Sequence, residues 1–490
     1  MALYRVNPTP GTIMTQSEIP ATPLANLDAR GFSLSRRGLA VGAAALILPN
    51  RLYAQTAPAG APGGSLASAS PADSAIVVDR ARIDPIPIAI PVFPGGDGVA
   101  QRMGQDIAGV ITNNLARSGL FRTIDPAAFI GQVTTDVPNF ANWKGIGAQA
   151  LVTGKVDNQG GNKLRVEFRL WDVLPGQQIQ GTAYSADSTN WRRIAHIISD
   201  VIYERLLGEK GYFDTRVCYI AGSGPRDRRV KRLAIMDQDG ENNRFLTDGT
   251  WIAKTPRFHP SQDKVAFMSY ANNRPRVYMF DLDTQRQSVL GDFSGMTLSP
   301  RFAPDGNSVV MSQTTSGGNA DIYNVDLASR RAQQLTNSGS IDVSPCYSPD
   351  ATQIVFNSDR GGDQQLYVMG ADGSNQRRIS FGNGRYGTPV WSPRGDLIAY
   401  TRIFENTFAI GVMRPDGSGE RILSESYYVE GPTFAPNGRV IMFWRETPAR
   451  DNRGNGFSAR LVSIDITGFN ERQIPTPTDA SEPAWGPLLA

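Results

Sequence analysis

Only two cysteines and two histidines are spread over 490 residues, and that shortage removes whole classes of chemistry. Structural and catalytic zinc sites need Cys and His at short, repeated spacings, and none occurs here. Cys218 and Cys346 fall in different structural repeats and read as two unpaired, mostly buried thiols rather than a disulfide or metal pair. A hydrolase triad needs a histidine beside a nucleophile. His196 sits in the middle of a helical pattern, His259 takes a variable place inside a repeat, and no G-x-S-x-G elbow exists, so both histidines read as structural or surface residues rather than catalytic bases. One-signed charge is also scarce: a net +3, without Lys/Arg clusters interleaved with aromatics, argues against nucleic acid as a partner. Long apolar runs are missing too. The run Leu39–Leu48 has ten residues, where a membrane-spanning helix needs ~20, so no direct membrane insertion is expected.

Turn formers are plentiful, with 50 Gly and 33 Pro, and imply many short strands; hydrophobic residues at 40% and charged residues at 19% describe a soluble globular protein. The length exceeds the ~250–300 residues at which one core stops growing, so more than one domain is expected. SRRGLAVGAAALILPNRLYA (35–54) carries a twin arginine, the short apolar run and a small residue, Ala54, at a cleavage position. Residues 1–54 are therefore expected to be an export signal, with the Tat and Sec routes both open. Residues 55–74, QTAPAGAPGGSLASASPADS, hold nothing to build a core from and read as a disordered Pro/Gly/Ala/Ser linker.

The C-terminal half repeats. TPRFHPSQDKVAFMS, SPRFAPDGNSVVMS, SPCYSPDATQIVFNS, TPVWSPRGDLIAYT and GPTFAPNGRVIMFW share a Pro-x-aromatic-x-Pro pattern followed by an apolar run, and their first prolines, Pro256, Pro300, Pro345, Pro389 and Pro432, are 44, 45, 44 and 43 residues apart. That period is the length of a propeller blade of four short strands. Five complete units leave two fragments. RVCYIAG, KRLAIMD and NRFLT lack an inner strand, and SEPAWGPLLA at the far C-terminus is an inner strand without followers. Together they make a sixth blade that closes the ring and removes its free edges. Residues 211–490 are thus expected to form a six-bladed β-propeller closed by a C-terminal strand.

Residues 75–210 read as a small α+β domain with a mixed sheet. PIPIAIPVF, ALVTGKV and KLRVEFRLWDV are strands. A first helix has Val99, Met103, Ile107, Val110, Ile111 and Leu115 on one face, and a second runs from an N-cap at Asn190 to a stop at Gly208. GIGAQA (145–150) enters a strand instead of opening a helix, so it is no dinucleotide site, and DQDGEN (237–242) is a hairpin turn rather than a calcium loop. No catalytic residue, metal or cofactor is assigned.

Rings of this kind are binding platforms whose loops vary. The residues just before each inner strand gather on one rim: Trp251 and Ile252, Met296 and Ser299, Ile341 and Val343, Arg385 and Tyr386, Tyr427 and Tyr428. Their large side chains either plug the channel mouth or meet a partner. A propeller lectin or other ligand binder, or a hydrolase-related propeller, remains the alternative.

The export signal, the junction LLGEKGYFDTRVCYIA (206–221), the SPDG-type blades and the C-terminal PAWGP together resemble the TolB family of the Tol-Pal system. The resemblance implies a non-enzymatic adaptor, monomeric on its own, in the periplasm of a Gram-negative bacterium. Its propeller would bind the peptidoglycan-associated lipoprotein Pal through the rim above, its N-terminal region would bind TolA, and other outer-membrane proteins are further candidate partners. The complex would support outer-membrane integrity and invagination during division. The segment SAIVVDRAR, with Ile76, Val77, Val78 and Asp79, would be the TolA-linked switch.

Overall fold

The computed structural model describes residues 15–18, 84–130, 137–225, 228–291, 293, 295–451 and 454–489. The expected signal apart from residues 15–18, the cleavage position Ala54, the linker and the switch residues Ile76, Val77, Val78 and Asp79 lie outside them.

The N-terminal module is a six-stranded mixed sheet faced by helices. In chain order its elements are β1 (Thr15–Glu18), β2 (Ile86–Ala89), α1 (Gly98–Ser118), β3 (Phe121–Thr123), α2 (Phe140–Gly145), β4 (Ala150–Gly160), β5 (Lys163–Asp172), β6 (Gln177–Asp187) and α3 (Trp191–Leu207). The sheet order is β1-β6-β5-β4-β2-β3, with β2 parallel to both β3 and β4. β1, antiparallel to β6, falls within the residues read as export signal. Ile107, Ile111 and Leu115 of α1 are buried, whereas Val99, read on the same face, is exposed in the first turn. That turn is fixed by Asp97, whose carboxylate accepts from the Val99 and Ala100 N–H groups at 2.9 and 2.8 Å. Asn190 occupies the N-cap position of α3 as expected but makes no side-chain cap bond, because a short 3₁₀ turn, Ser188–Asn190, leads into the helix. Gly208 ends it as expected, at φ 73° with its N–H on Glu204 O.

The propeller has six four-stranded blades. The inner strands of blades 1 to 5 are Ala253–Phe258, Thr297–Phe302, Asp342–Tyr347, Arg385–Trp391 and Tyr428–Phe434. Blade 6 takes its inner strand, Asp479–Leu488, from the C-terminus and pairs it with Thr215–Ser223, so the ring closes as the repeat count implied.

Every inner strand breaks register at the same place. The residue before the first proline of each repeat has positive φ: Thr255 47°, Ser299 50°, Ser344 56°, Thr388 46°, Gly431 68° and Glu482 53°. The recurring Pro-x-aromatic motif therefore marks a bulge, the site within a sheet that tolerates a residue without an N–H. Cys218 and Cys346 are free and buried.

The two modules share one core. Apolar side chains of α1, α3 and β2–β6 are continuous with those of blades 5 and 6, ending at Trp485.

Candidate functional site: the propeller rim and channel

Antiparallel alternation within a blade puts the start of each inner strand on one rim and the inner hairpin turns on the other. The N-terminal module occupies the turn-bearing rim. Asn470 Nδ2 donates to Arg117 O at 2.7 Å, Asn437 Nδ2 to Lys210 O at 3.0 Å, and Glu209 pairs with Arg394 at 3.0 Å. Asn114 of α1 accepts from Gln238 Nε2 at 3.1 Å while its own amide reaches His196 Nδ1 at 2.9 Å and Ser199 Oγ at 3.0 Å. His196 is thus part of the junction. It lies close to Asp237 and Asp239, three groups of metal-ligating type, but Arg192 of α3 pairs with both carboxylates and supplies the positive charge.

His259 is equally structural. Its Nδ1 accepts the Ser261 and Gln262 N–H groups at 3.1 and 3.0 Å, and Nε2 meets Gly306 O of the next blade at 3.1 Å. Burial lowers its pKa from the usual value, and two donors on Nδ1 keep the ring neutral. GIGAQA runs from the end of α2 into β4, and DQDGEN turns between Val230–Asp237 and Arg244–Phe245. Both match their structural readings.

The rim opposite the N-terminal module carries a set of exposed large apolar residues. Trp251 (38% exposed), Ile252, Met296, Ile341 and Tyr427 (62%) stand immediately before their inner strands. Other residues of the expected rim sit elsewhere. Tyr386 is fully buried, with its hydroxyl on Glu420 at 2.8 Å. Ser299 and Tyr428 line the channel and Val343 is half-buried, whereas Arg385, the first residue of its inner strand, is exposed at the expected rim position. Blade 4 instead presents Phe381 (73% exposed) and Phe404, each under an arginine, Arg378 and Arg402. Their exposure escaped the sequence reading because Phe381 lies before the rim positions that the repeat defines, and Phe404 lies on the next strand. Blade 5 adds a longer hairpin: Val440–Asp451 and Gly454–Asp465 have twelve residues each, against six to nine for the corresponding strands elsewhere. Phe457 of that hairpin stacks on Tyr427 at 5.8 Å.

Below the rim the channel opens into a cavity of about 380 Å³, lined by Lys231, Lys254, Tyr428, Glu430, Glu482 and the bulge residues among others. A second cavity of about 160 Å³ lies toward the other end, and Arg257 and Arg301 border both. Glu482 accepts the Thr255 N–H at 2.7 Å, and Glu430 takes the Tyr428 hydroxyl at 2.6 Å. Burial raises the Glu430 pKa and lowers that of Lys231.

An α/β module mounted on one face of a closed six-bladed propeller, whose other face exposes large apolar side chains, defines a two-domain propeller protein. The TolB beta propeller domain matches residues 203–489 and the TolB amino-terminal domain residues 74–179. A curated relative, the Tol-Pal system protein TolB of Gluconobacter oxydans (strain 621H), is 53% identical over 471 residues, covering 96% of this chain and 99% of its own. The crystal structure of TolB from Acinetobacter baumannii superposes with a TM-score of 0.70 at 26% identity, over 82% of this chain and 97% of that one. The chain belongs to the TolB family of the Tol-Pal system. Among the described residues no helix is long and apolar enough to cross a membrane.

Proposed function

We propose that the protein is a non-enzymatic periplasmic adaptor. Its propeller binds the peptidoglycan-associated lipoprotein Pal, its N-terminal region, including Ile76, Val77, Val78 and Asp79, binds TolA, and the assembly serves outer-membrane integrity and envelope constriction at division. One observation carries the Pal half of this reading: the large exposed apolar side chains Trp251, Ile252, Met296, Ile341 and Tyr427 share one rim, which the described residues of the N-terminal module leave uncovered. Aromatic and apolar anchors of this kind dominate binding energy at protein interfaces. Export in residues 1–54 would deliver the chain to the compartment where both partners reside. The lack of an enzymatic role fits two histidines committed to backbone and amide partners.

The test is capture from an envelope extract with the full chain as bait, followed by calorimetry with purified Pal. Wild type is expected to recover a lipoprotein with a peptidoglycan-binding domain, and Ile341→Glu and Tyr427→Glu to weaken Pal binding by about tenfold or more, since each buries a charge in place of an apolar anchor. Unchanged affinity in both variants would remove this rim from the interface. Deleting residues 55–82 tests the TolA half, where unaltered affinity for TolA and for Pal would overturn it.

A further inference from the structure

Within each repeat, the residue after the first proline is Arg257, Arg301, Cys346, Val390, Thr433 or Ala484. Blades 1 and 2 are neighbours, so the two arginines lie side by side at mid-channel, where the upper and lower cavities meet. Among the described residues neither guanidinium has an ion pair with a carboxylate. Arg257 spends Nη1 on Pro256 O at 2.6 Å and leaves a buried Nε without a partner.

The nearby carboxylates are engaged elsewhere: Glu482 holds the Thr255 N–H and lies 3.7 Å from Lys254, and Glu430 holds Tyr428. Lys231, Lys254, Arg257 and Arg301 thus outnumber Glu430 and Glu482 on the cavity walls. Burial pushes the pKa of Arg257 well down, with the neighbouring Arg301 acting in the same direction, and burial lowers that of Arg301 as well. Two cations placed together away from bulk water repel one another and have lost hydration, a cost that a shared anion offsets. Planar guanidiniums present parallel N–H donors that match an oxyanion. The 380 Å³ cavity above them exceeds the ~30 Å³ share of one water many times over and leaves room for such a group.

We propose that Arg257 and Arg301 form an oxyanion-binding site in the propeller channel, entered from the apolar rim and filled by a phosphate or carboxylate group.

The experiment is isothermal titration of the full chain with inorganic phosphate, and separately with succinate, at fixed ionic strength. Saturable binding of one anion per chain is expected, with the stronger of the two titrations identifying phosphate or carboxylate as the natural group. Arg257→Gln and Arg301→Gln are each expected to weaken binding by about tenfold or more. Because either change also relieves repulsion, both variants should fold, and phosphate should raise the melting temperature of wild type but not theirs. Cys346→Asp supplies an internal counter-ion beside both arginines and should abolish anion binding with the arginines intact. No saturable heat with either anion up to about 20 mM, or equal affinity in wild type and all three variants, overturns the proposal.

Discussion

Asp200 shows how one carboxylate sets the joint between the two modules. From α3 it accepts the N–H groups of Phe213 and Asp214 at 2.7 and 2.9 Å. A Cβ at Gly211 would stand 2.0 Å from its Oδ1, so glycine is required there. The segment KGYFDTR, which carries the family resemblance in sequence, is thus a clasp. Thr215 Oγ donates to Tyr212 O, Trp485 Nε1 donates to Thr215 Oγ, and Arg193 pairs with Asp214. Sequence alone marked the motif but not its cause, because Asp200 lies in a helix whose apolar pattern gave no sign of a buried acid. Burial raises the Asp200 pKa to about 7. In the unfolded chain the carboxyl ionises near its ordinary value, so the folded state holds the extra proton between about pH 4 and pH 7. The stabilisation from that proton is full below the unfolded value and is lost as pH rises through about 7. Asp200→Asn does not titrate and gives up one acceptor, so it should cost about 1–3 kcal/mol at pH 5. The gap to wild type should narrow at pH 8.5. Urea midpoints at the two pH values measure this, and a gap independent of pH would refute the assignment.

At the scale of elements, the repeated proline pattern does more than mark a blade. It fixes a bulge with one residue at positive φ in every inner strand. Thr, Ser and Glu hold that conformation at a cost of about 1–3 kcal/mol each, whereas Gly431 holds it freely. Gly431→Val is expected to destabilise by about 1–3 kcal/mol, since a β-branched residue would have to hold a φ of 68°. Thr255→Gly should be neutral or stabilising within about 1 kcal/mol, because its buried hydroxyl has no partner and the strain is released. Thermal melts of the two variants test this: a clear loss in Gly431→Val with none in Thr255→Gly supports a strained bulge, and a comparable loss in both refutes it. Strand periodicity and blade count were legible because every blade restates them. Single-copy details were not: the burial of Tyr386 and the exposure of Phe381 depend on neighbours far away in sequence, while the Asp97 cap on α1 and the 3₁₀ turn before α3 are local but stated once, with no repeat to mark them.

For the molecule as a whole, the C-terminal strand does two jobs. It supplies the inner strand of blade 6, and through Trp485 it touches the joint to the N-terminal module, with Tyr212 edge-on at 5.7 Å. Apolar packing runs without a break from α1 and α3 through blades 5 and 6 to this residue. A propeller that merely carried an appended domain would lose only ring closure when Trp485 is truncated, and the N-terminal module would melt on its own afterwards. A shared core predicts otherwise. Trp485→Ala should cost about 3–5 kcal/mol and lower one common calorimetric transition, with the van't Hoff and calorimetric enthalpies falling together. Two resolved transitions, of which only the propeller's moves, would show that the modules fold separately. A chain ending at Thr478 takes the same logic to its limit: Thr215–Ser223 becomes a bare edge, and size-exclusion chromatography should find aggregate in place of monomer.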